Sequence, residues 1–339
     1  MNPAASGFDE WLSAPNFFDN NPILSREGKA VQTEGESSMV TVDAALAFMR
    51  KYEGGDKPYF AVLWFGSPHN PHEAFEQDRQ VYDEQPENMQ HFLGEITAMD
   101  RAFGKLRNEL KTLPSQKNTL LWYCSDNGGL PNLGTTGGRG HKGDIYEGGL
   151  RVPSMLEWPA RIQQARISNM PSNTSDIFPT LLDIIDVAPK PNLPLDGISL
   201  LPLIDGQMDD QRPQPMGFWH YPAKGVRTPS AIWMAELLEA QKQGNMIGDS
   251  TRLRREDIKI IPYAQDSLKG HAAWLDWPWK LHRIQDKSGA IQWELYQLEN
   301  DSQEEVDLVA AEPERVAKMK LALNKWQQSV MHSMNGEDY

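Results

Sequence analysis

Tyr59-Phe-Ala-Val-Leu-Trp-Phe65, Glu87–Leu113 and Thr119-Leu-Leu-Trp-Tyr-Cys124 form the stretch on which the fold reading turns. The first is a continuous apolar run between Lys57-Pro58 and Gly66-Ser67-Pro68, whose length and flanks predict a strand buried on both faces. In the second, Met89, Phe92, Leu93, Ile96, Met99, Phe103, Leu106 and Leu110 recur at spacings of three and four, which predicts one long amphipathic helix. The third reads again as a buried strand. Strand, helix and strand make a βαβ unit with a right-handed crossover and a parallel pair. In open α/β sheets ligands bind past the carboxyl ends of such strands. Both runs end there in residues with chemistry: Ser67-Pro-His-Asn-Pro-His72 and Ser125-Asp-Asn-Gly-Gly129.

Outward from this unit, residues 1–40 read as loop-rich, with turn signals at Asn2-Pro3, Pro15-Asn16 and Asn20-Asn21-Pro22 and no apolar period. A short helix is predicted from near Thr41, with Val42, Ala45, Leu46 and Met49 on one face. Ser175 reads as the N-cap of a helix with Ile177, Leu181, Leu182 and Ile185 inward, and Pro189, Pro191 and Pro194 mark a linker. From Phe218 the segments turn short and aromatic, as in Ala273–His282 and Gln292–Tyr296, and read as antiparallel strands. A terminal helix with Val316, Met319, Leu323, Trp326 and Val330 on one face closes the chain. The expected boundary lies near residue 210, giving 1–210 and a smaller 211–339.

The 339 residues are enough for roughly two domains, and 24% charged against 39% apolar residues is a globular composition. No apolar run approaches the ~20 residues of a membrane span, and no signal-peptide pattern follows Met1. The single cysteine, Cys124, excludes an internal disulfide framework and a multi-cysteine zinc site. Lys and Arg number 33 against 47 Asp and Glu, a net charge of −14. The densest basic cluster, Arg252–Arg255, is interrupted, so nothing resembles the basic stripe that holds nucleic-acid phosphates.

Three groups of residues carry candidate chemistry. Asp126 and Asn127 offer a carboxylate and an amide oxygen on a turn, donors suited to Ca²⁺ or Mg²⁺, although an isolated Asp-Asn-Gly is also a plain Asx turn. Gly137-Gly-Arg-Gly-His-Lys-Gly143 offers exposed amides and Lys142 to a tetrahedral oxyanion. It is no Walker loop, because Gly143 follows Lys142, and a flexible connector is the bland alternative. Histidine as a residue type suits proton donation to a leaving group, which makes His69 and His72 candidates; without a nearby Cys or a third His, zinc is disfavoured.

Taken together these motifs resemble the type I, formylglycine-dependent sulfatases of the alkaline-phosphatase-like superfamily. The resemblance rests on Ser67-Pro68-His69-Asn70-Pro71, Ser125–Gly129 and Gly140-His-Lys-Gly-Asp-Ile-Tyr-Glu-Gly-Gly-Leu-Arg-Val-Pro153 in this order. Gly7-Phe-Asp-Glu-Trp11 and Glu294-Leu-Tyr-Gln-Leu-Glu-Asn-Asp301 extend it from about residue 7 to about residue 325. It implies an α/β fold in which helices flank a mixed sheet, with a smaller C-terminal antiparallel subdomain and a terminal helix. It implies sulfate-ester hydrolysis on a small or carbohydrate substrate, with Asp126 and Asn127 as ligands of one Ca²⁺. Lys142 would contact the sulfate, His69 would bind it or protonate the leaving oxygen, and His72 is the weaker candidate. Glu147 and Arg151 would shape the loop; His220, beside Trp219 and Tyr221, is a weak candidate for stacking on a sugar. A periplasmic or extracellular location is implied by the family alone, and the oligomeric state is open.

The chain also departs from the family. The upstream pair of aspartates, the Cys-x-Pro-Ser-Arg segment whose cysteine becomes formylglycine, and the Gly-Lys-Trp-His-Leu-Gly stretch are absent from these residues. Cys124 is followed by Ser125-Asp126-Asn127 and cannot substitute. The expectation is a sulfatase whose N-terminal part is missing, with half a metal site and no nucleophile, inactive as this chain. The rivals are a phosphate or phosphonate ester hydrolase of the same superfamily and a non-catalytic sulfatase-like binding protein.

Overall fold

The computed structural model describes residues 3–190, 194–222, 228–246, 263–264 and 267–338. Arg252–Arg255 and Pro191 lie outside the described residues. The strands are β1 (Leu12–Ser13), β2 (Ile23–Arg26), β3 (Lys29–Gln32), β4 (Leu121–Cys124), β5 (Ser154–Glu157), β6 (Met216–His220), β7 (His271–Asp276), β8 (Trp279–Gln285) and β9 (Ile291–Gln297). The helices are α1 (Ser37–Tyr52), α2 (Glu76–Arg79), α3 (Glu87–Leu110), α4 (Glu147–Leu150), α5 (Ile177–Ile184), α6 (Leu201–Ile204), α7 (Ser230–Lys242) and α8 (Pro313–Met334). They fall into two compact units, Met1–Lys117 with Gly225–Ile258, and Asn118–Lys224 with Lys259–Tyr339.

In the first unit the 1–40 stretch is more ordered than its sequence suggests, because β1, β2 and β3 form an antiparallel sheet. Its β2–β3 hairpin turns on Glu27 and Gly28, both at positive φ (51° and 93°), as a two-residue turn matched to strand twist requires. Gln241 of α7 fastens this hairpin, accepting from Ala30 N–H at 2.8 Å and donating to Gly28 O at 3.0 Å. α1 starts four residues before Thr41 because Glu36 caps it, accepting from the amides of Ser38 and Met39. α1 packs on α3. The buried line of α3 is Phe92, Glu95, Ala98, Ala102, Leu106 and Leu110, so Met89, Leu93, Ile96, Met99 and Phe103 are only half-buried. Small residues on the buried line let two helices approach closely, which a count of large apolar residues does not register.

The expectation of a strand at 59–65 is corrected. The segment has no regular secondary structure and joins no ladder among the described residues, and its alternate residues Phe60, Val62 and Trp64 are exposed, Trp64 by 81%. An apolar run is buried on both faces only when neighbours pair with it and helices cover it. The parallel pair with β4 is likewise not formed: β4 pairs antiparallel with β5, Leu121 opposite Glu157 through Cys124 opposite Ser154. Every ladder between described strands is antiparallel.

The rest of the second unit follows the sequence more closely. β6-β7-β8-β9 is a four-stranded antiparallel sheet, and Trp277-Pro278 is the turn that splits Ala273–His282 into two strands. α8 lies on it, burying Val316 and Met319 against Leu281 and Leu295, and Leu323 is buried on the same helix. Trp326 and Val330 are half-buried, while Gln327 and Met331 complete the inward face. The cap expected at Ser175 belongs to Asn173, whose side chain accepts from Ser175 N–H while Asp176 reaches back to the Asn173 amide. Ile185, expected inward, is 58% exposed beyond the end of α5. No helix among the described residues is long and apolar enough to cross a membrane.

Candidate functional site

Three loops of the second unit are tied into one backbone knot. The turn after β4 carries Asp126 and Asn127, the glycine-rich loop carries Lys142, and α4 follows it. Lys142 N–H donates to Gly129 O at 2.9 Å, Gly128 N–H to Gly149 O at 2.9 Å, and Gly148 N–H to Arg139 O at 2.7 Å. Ser125 N–H reaches Pro153 O at 3.2 Å, which closes the turn against the start of β5. The glycines are needed because backbone meets backbone: a Cβ on Gly128 would stand 1.9 Å from Gly148 O. Gly128→Ala is therefore expected to destabilise the second unit by about 3 kcal/mol, the upper part of the overpacking range. A melting temperature equal to wild type would contradict that close approach.

Asp126, Asn127, Lys142 and His220 line one cavity of about 2170 Å³ inside this unit. Lys142 and Asp126 are exposed, and Asn127 is half-buried. Ser125 Oγ donates to Asn127 O at 3.2 Å, and the Asn127 amide donates to Asp126 Oδ2. His220 sits beside the lysine loop, its Nδ1–H donating to Gly143 O at 2.7 Å, so it braces the backbone one residue from Lys142. Trp219, Tyr221 and Trp277 line the same cavity. Cys124 lies at the end of β4, and burial, helped by Asp126, pushes its thiol pKa up, away from a reactive thiolate.

The histidines of the Ser67–His72 loop belong to the first unit. The His69 ring stacks on Phe18 at 3.9 Å between centroids, and its Nδ1–H donates to Asn70 O at 2.8 Å. His72 is turned inward: its Nδ1 lies 3.0 Å from Glu95 Oε2, with both side chains at least nine-tenths buried. Burial pushes the Glu95 carboxyl pKa up against the lowering pull of His72. The structure thus places Asp126, Asn127, Lys142 and His220 on one cavity and His72 in a buried hydrogen bond with Glu95.

Asp126 and Asn127 offer the hard oxygen donors that Ca²⁺ prefers, but Ca²⁺ takes six to eight such oxygens. Among the described residues no group of three or more His, Cys, Asp or Glu is placed to hold a metal ion. The pair fits a fragment of a Ca²⁺ site and not a whole one. The 339-residue polypeptide is accordingly expected to bind Ca²⁺ no more tightly than about millimolar in a calorimetric titration. Micromolar binding abolished by Asp126→Asn would overturn that count of ligands.

Sequence reading missed the charged cluster behind the knot. Lys280, His282 and Glu304 are fully buried, and Tyr146 and Tyr296 both donate to Glu294 Oε2, at 2.8 and 2.9 Å. Burial and the neighbouring Glu294 carboxylate push both phenol pKa values up. His271, mostly buried, is pushed from 6.5 down to about 3 by desolvation, then by His282 and Lys280. The unfolded chain therefore holds a proton that the folded chain refuses between about pH 3 and 6.5. Stability rises with pH across that window and is lost as pH falls through it, by roughly 2 kcal/mol at pH 5 for a shift of this size. Urea titrations at pH 7 and pH 5 check this; His271→Asn should flatten the dependence, and an unchanged slope would contradict it.

The sulfatase family profile matches residues 1–187, more than half of the chain. The chain belongs to the sulfatase family. An N-acetylgalactosamine-6-sulfatase from Canis lupus familiaris is 27% identical to this sulfatase chain over 252 residues, covering 62% of it and 45% of the relative. Arylsulfatase H from Homo sapiens is 29% identical over 218 residues, covering 59% of this chain and 37% of the relative. The chain thus spans less than half the length of these relatives. Among solved structures, that of Ps i-CgsB superposes with a TM-score of 0.71 at 21% identity, covering 99% of this chain and 72% of that one. At this identity the likeness shows the fold alone: the α/β architecture of alkaline-phosphatase-like sulfatases, as the motifs implied.

Proposed function

We propose that the knot of the second unit is the sulfate-binding side of a sulfuric ester hydrolase acting on a sulfated saccharide or aryl ester. The single observation that carries this reading is the backbone pairing of Lys142 with Gly129 and of Gly128 with Gly149, which joins two motifs typical of the family into one cavity wall. A sulfate ester is a tetrahedral oxyanion. The Lys142 ammonium meets it as a strongly hydrated point charge, attractive locally although the chain's net charge is −14. His69, with Nδ1–H already donated to Asn70 O, keeps Nε2 for a sulfate oxygen or the leaving oxygen. Asp126 and Asn127 are proposed as two of the ligands of a Ca²⁺, with formylglycine as the family's nucleophile; when bound, Ca²⁺ supplies positive charge against the sulfate oxygens. His72, paired to Glu95, supports the loop that presents His69, and His220 supports Lys142.

A saccharide fits the cavity, whose volume of about 2170 Å³ exceeds the roughly 300–1,000 Å³ of drug-sized sites. Trp219, Tyr221 and Trp277 offer flat apolar surfaces to sugar rings. A relative's name, N-acetylgalactosamine-6-sulfatase, points the same way. The division into a catalytic portion, 1–210, and a smaller part, 211–339, belongs to this reading, as does an exported location; the four-stranded sheet and α8 both fall after residue 210. The test is calorimetric titration of the 339-residue polypeptide with 6-O-sulfated, 6-O-phosphorylated and unmodified N-acetylhexosamine. The sulfated sugar should bind best, and Lys142→Ala should weaken it about tenfold or more, the size of one charge-assisted contact. Preference for the phosphorylated sugar would favour the phosphate-ester rival.

A further inference from the structure

A buried charged chain stands directly behind the Lys142 knot. Lys280 on β8 has no exposed side-chain surface; its Nζ lies 2.8 Å from Glu147 Oε1 and 3.0 Å from Glu304 Oε1. The same Glu304 oxygen accepts from His282 Nε2–H at 2.7 Å, and His282 Nδ1 accepts in turn from His271 Nε2–H at 2.8 Å. A carboxylate only accepts, which fixes His282 as the Nε2–H tautomer. The other Glu304 oxygen, Oε2, accepts from the Glu147 backbone amide at 2.7 Å. Glu147 is thus gripped twice, by side chain and by backbone, at the first residue of α4.

The grip passes to the knot through the next two residues. Gly148 N–H bonds Arg139 O on the lysine loop, and Gly149 O receives Gly128 N–H on the turn of Asp126 and Asn127. Arg139 is held to the same cluster, Nη1 donating to Glu304 O at 3.2 Å and to the Tyr296 hydroxyl at 2.9 Å. Stability alone does not explain such a core. Buried ion pairs pay heavy desolvation, and apolar residues of similar volume usually serve folding as well or better. Apolar residues could not hold the Glu147 amide and side chain in one place, however. We propose that Lys280, Glu304 and His282 are positioning residues that set Lys142 and the Asp126–Asn127 turn in register through Glu147. The inference rests on the reading of those residues as a sulfate site.

Hydrogen–deuterium exchange on the full 339-residue chain tests it, with Glu304→Gln, the charge-neutral pair Lys280→Met with Glu304→Gln, and Glu147→Gln. The last is the safeguard, since the Glu147 side chain reaches solvent and its loss strands less charge in the core. Any folded variant should show exchange raised about tenfold or more in peptides covering 126–129 and 137–149, while β7 and β9 keep their wild-type protection. Its affinity for a 6-O-sulfated N-acetylhexosamine should fall at least tenfold. Uniformly raised exchange across the second unit, or unchanged exchange in 126–129 and 137–149, would overturn the positioning role. If wild type itself fails to bind the sulfated sugar, the sulfate-site reading fails, while the exchange pattern still decides whether this chain holds the knot.

Discussion

Asp176→Ala is expected to remove about 3–5 kcal/mol from the stability of the second unit, the cost of breaking a buried ion pair from one side. Asp176 is fully buried, and each carboxylate oxygen meets one guanidinium nitrogen of Arg212 at 2.8 Å. Its oxygens also accept from Asn173 N–H at 2.9 Å and Ile198 N–H at 2.8 Å. One side chain thus caps the turn leading into α5, pins the segment before α6, and neutralises an arginine whose side chain is 3% exposed. Truncation leaves Arg212 charged without its carboxylate, and two part-buried amides without acceptors. The double variant Asp176→Ala with Arg212→Met should recover part of the loss, because no lone charge remains. Urea midpoints at constant slope measure both. A single-variant loss under about 1 kcal/mol, as for a surface pair, would contradict the account.

The second large effect is on turnover. The purified 339-residue polypeptide is expected to release sulfate from an aryl sulfate no faster than buffer. Enzymes of this kind of chemistry accelerate by many powers of ten, about 10⁶ or more, and nucleophilic catalysis needs an activated attacking group. The only cysteine is Cys124, in the wrong sequence context for formylglycine and with its thiol pKa raised by burial. The roles proposed for Lys142 and His69, charge neutralisation and protonation, include no attacking oxygen. Sulfate release that Lys142→Ala abolishes would show that this chain carries a nucleophile of its own.

Legibility in the sequence followed the range of the interactions involved. α3, α8 and the C-terminal strands were readable because one element's own period decides them. The Asp126, Asn127 and Lys142 constellation was readable because short motifs in order carry it, and all three line one cavity. The run at 59–65 was misread because burial on both faces depends on neighbours that no local pattern encodes. The β2–β3 hairpin was missed because Glu27-Gly28 is not among the strong turn dipeptides, although both residues take positive φ. Lys280 and Glu304 were invisible for a similar reason: a lysine in a strand and a glutamate in an acidic loop usually face water, and only the tertiary fold brings them within 3.0 Å.

The most direct test of the central claim is chemical-shift mapping of the amide-labelled chain with 6-O-sulfated N-acetylhexosamine. The account predicts shifts concentrated at Gly128, Gly129, Lys142 and Gly143, absent with the unsulfated sugar and absent in Lys142→Ala. Shifts confined to other surfaces, such as the exposed Phe60–Trp64 strip, or equal shifts with the unsulfated sugar, would contradict it.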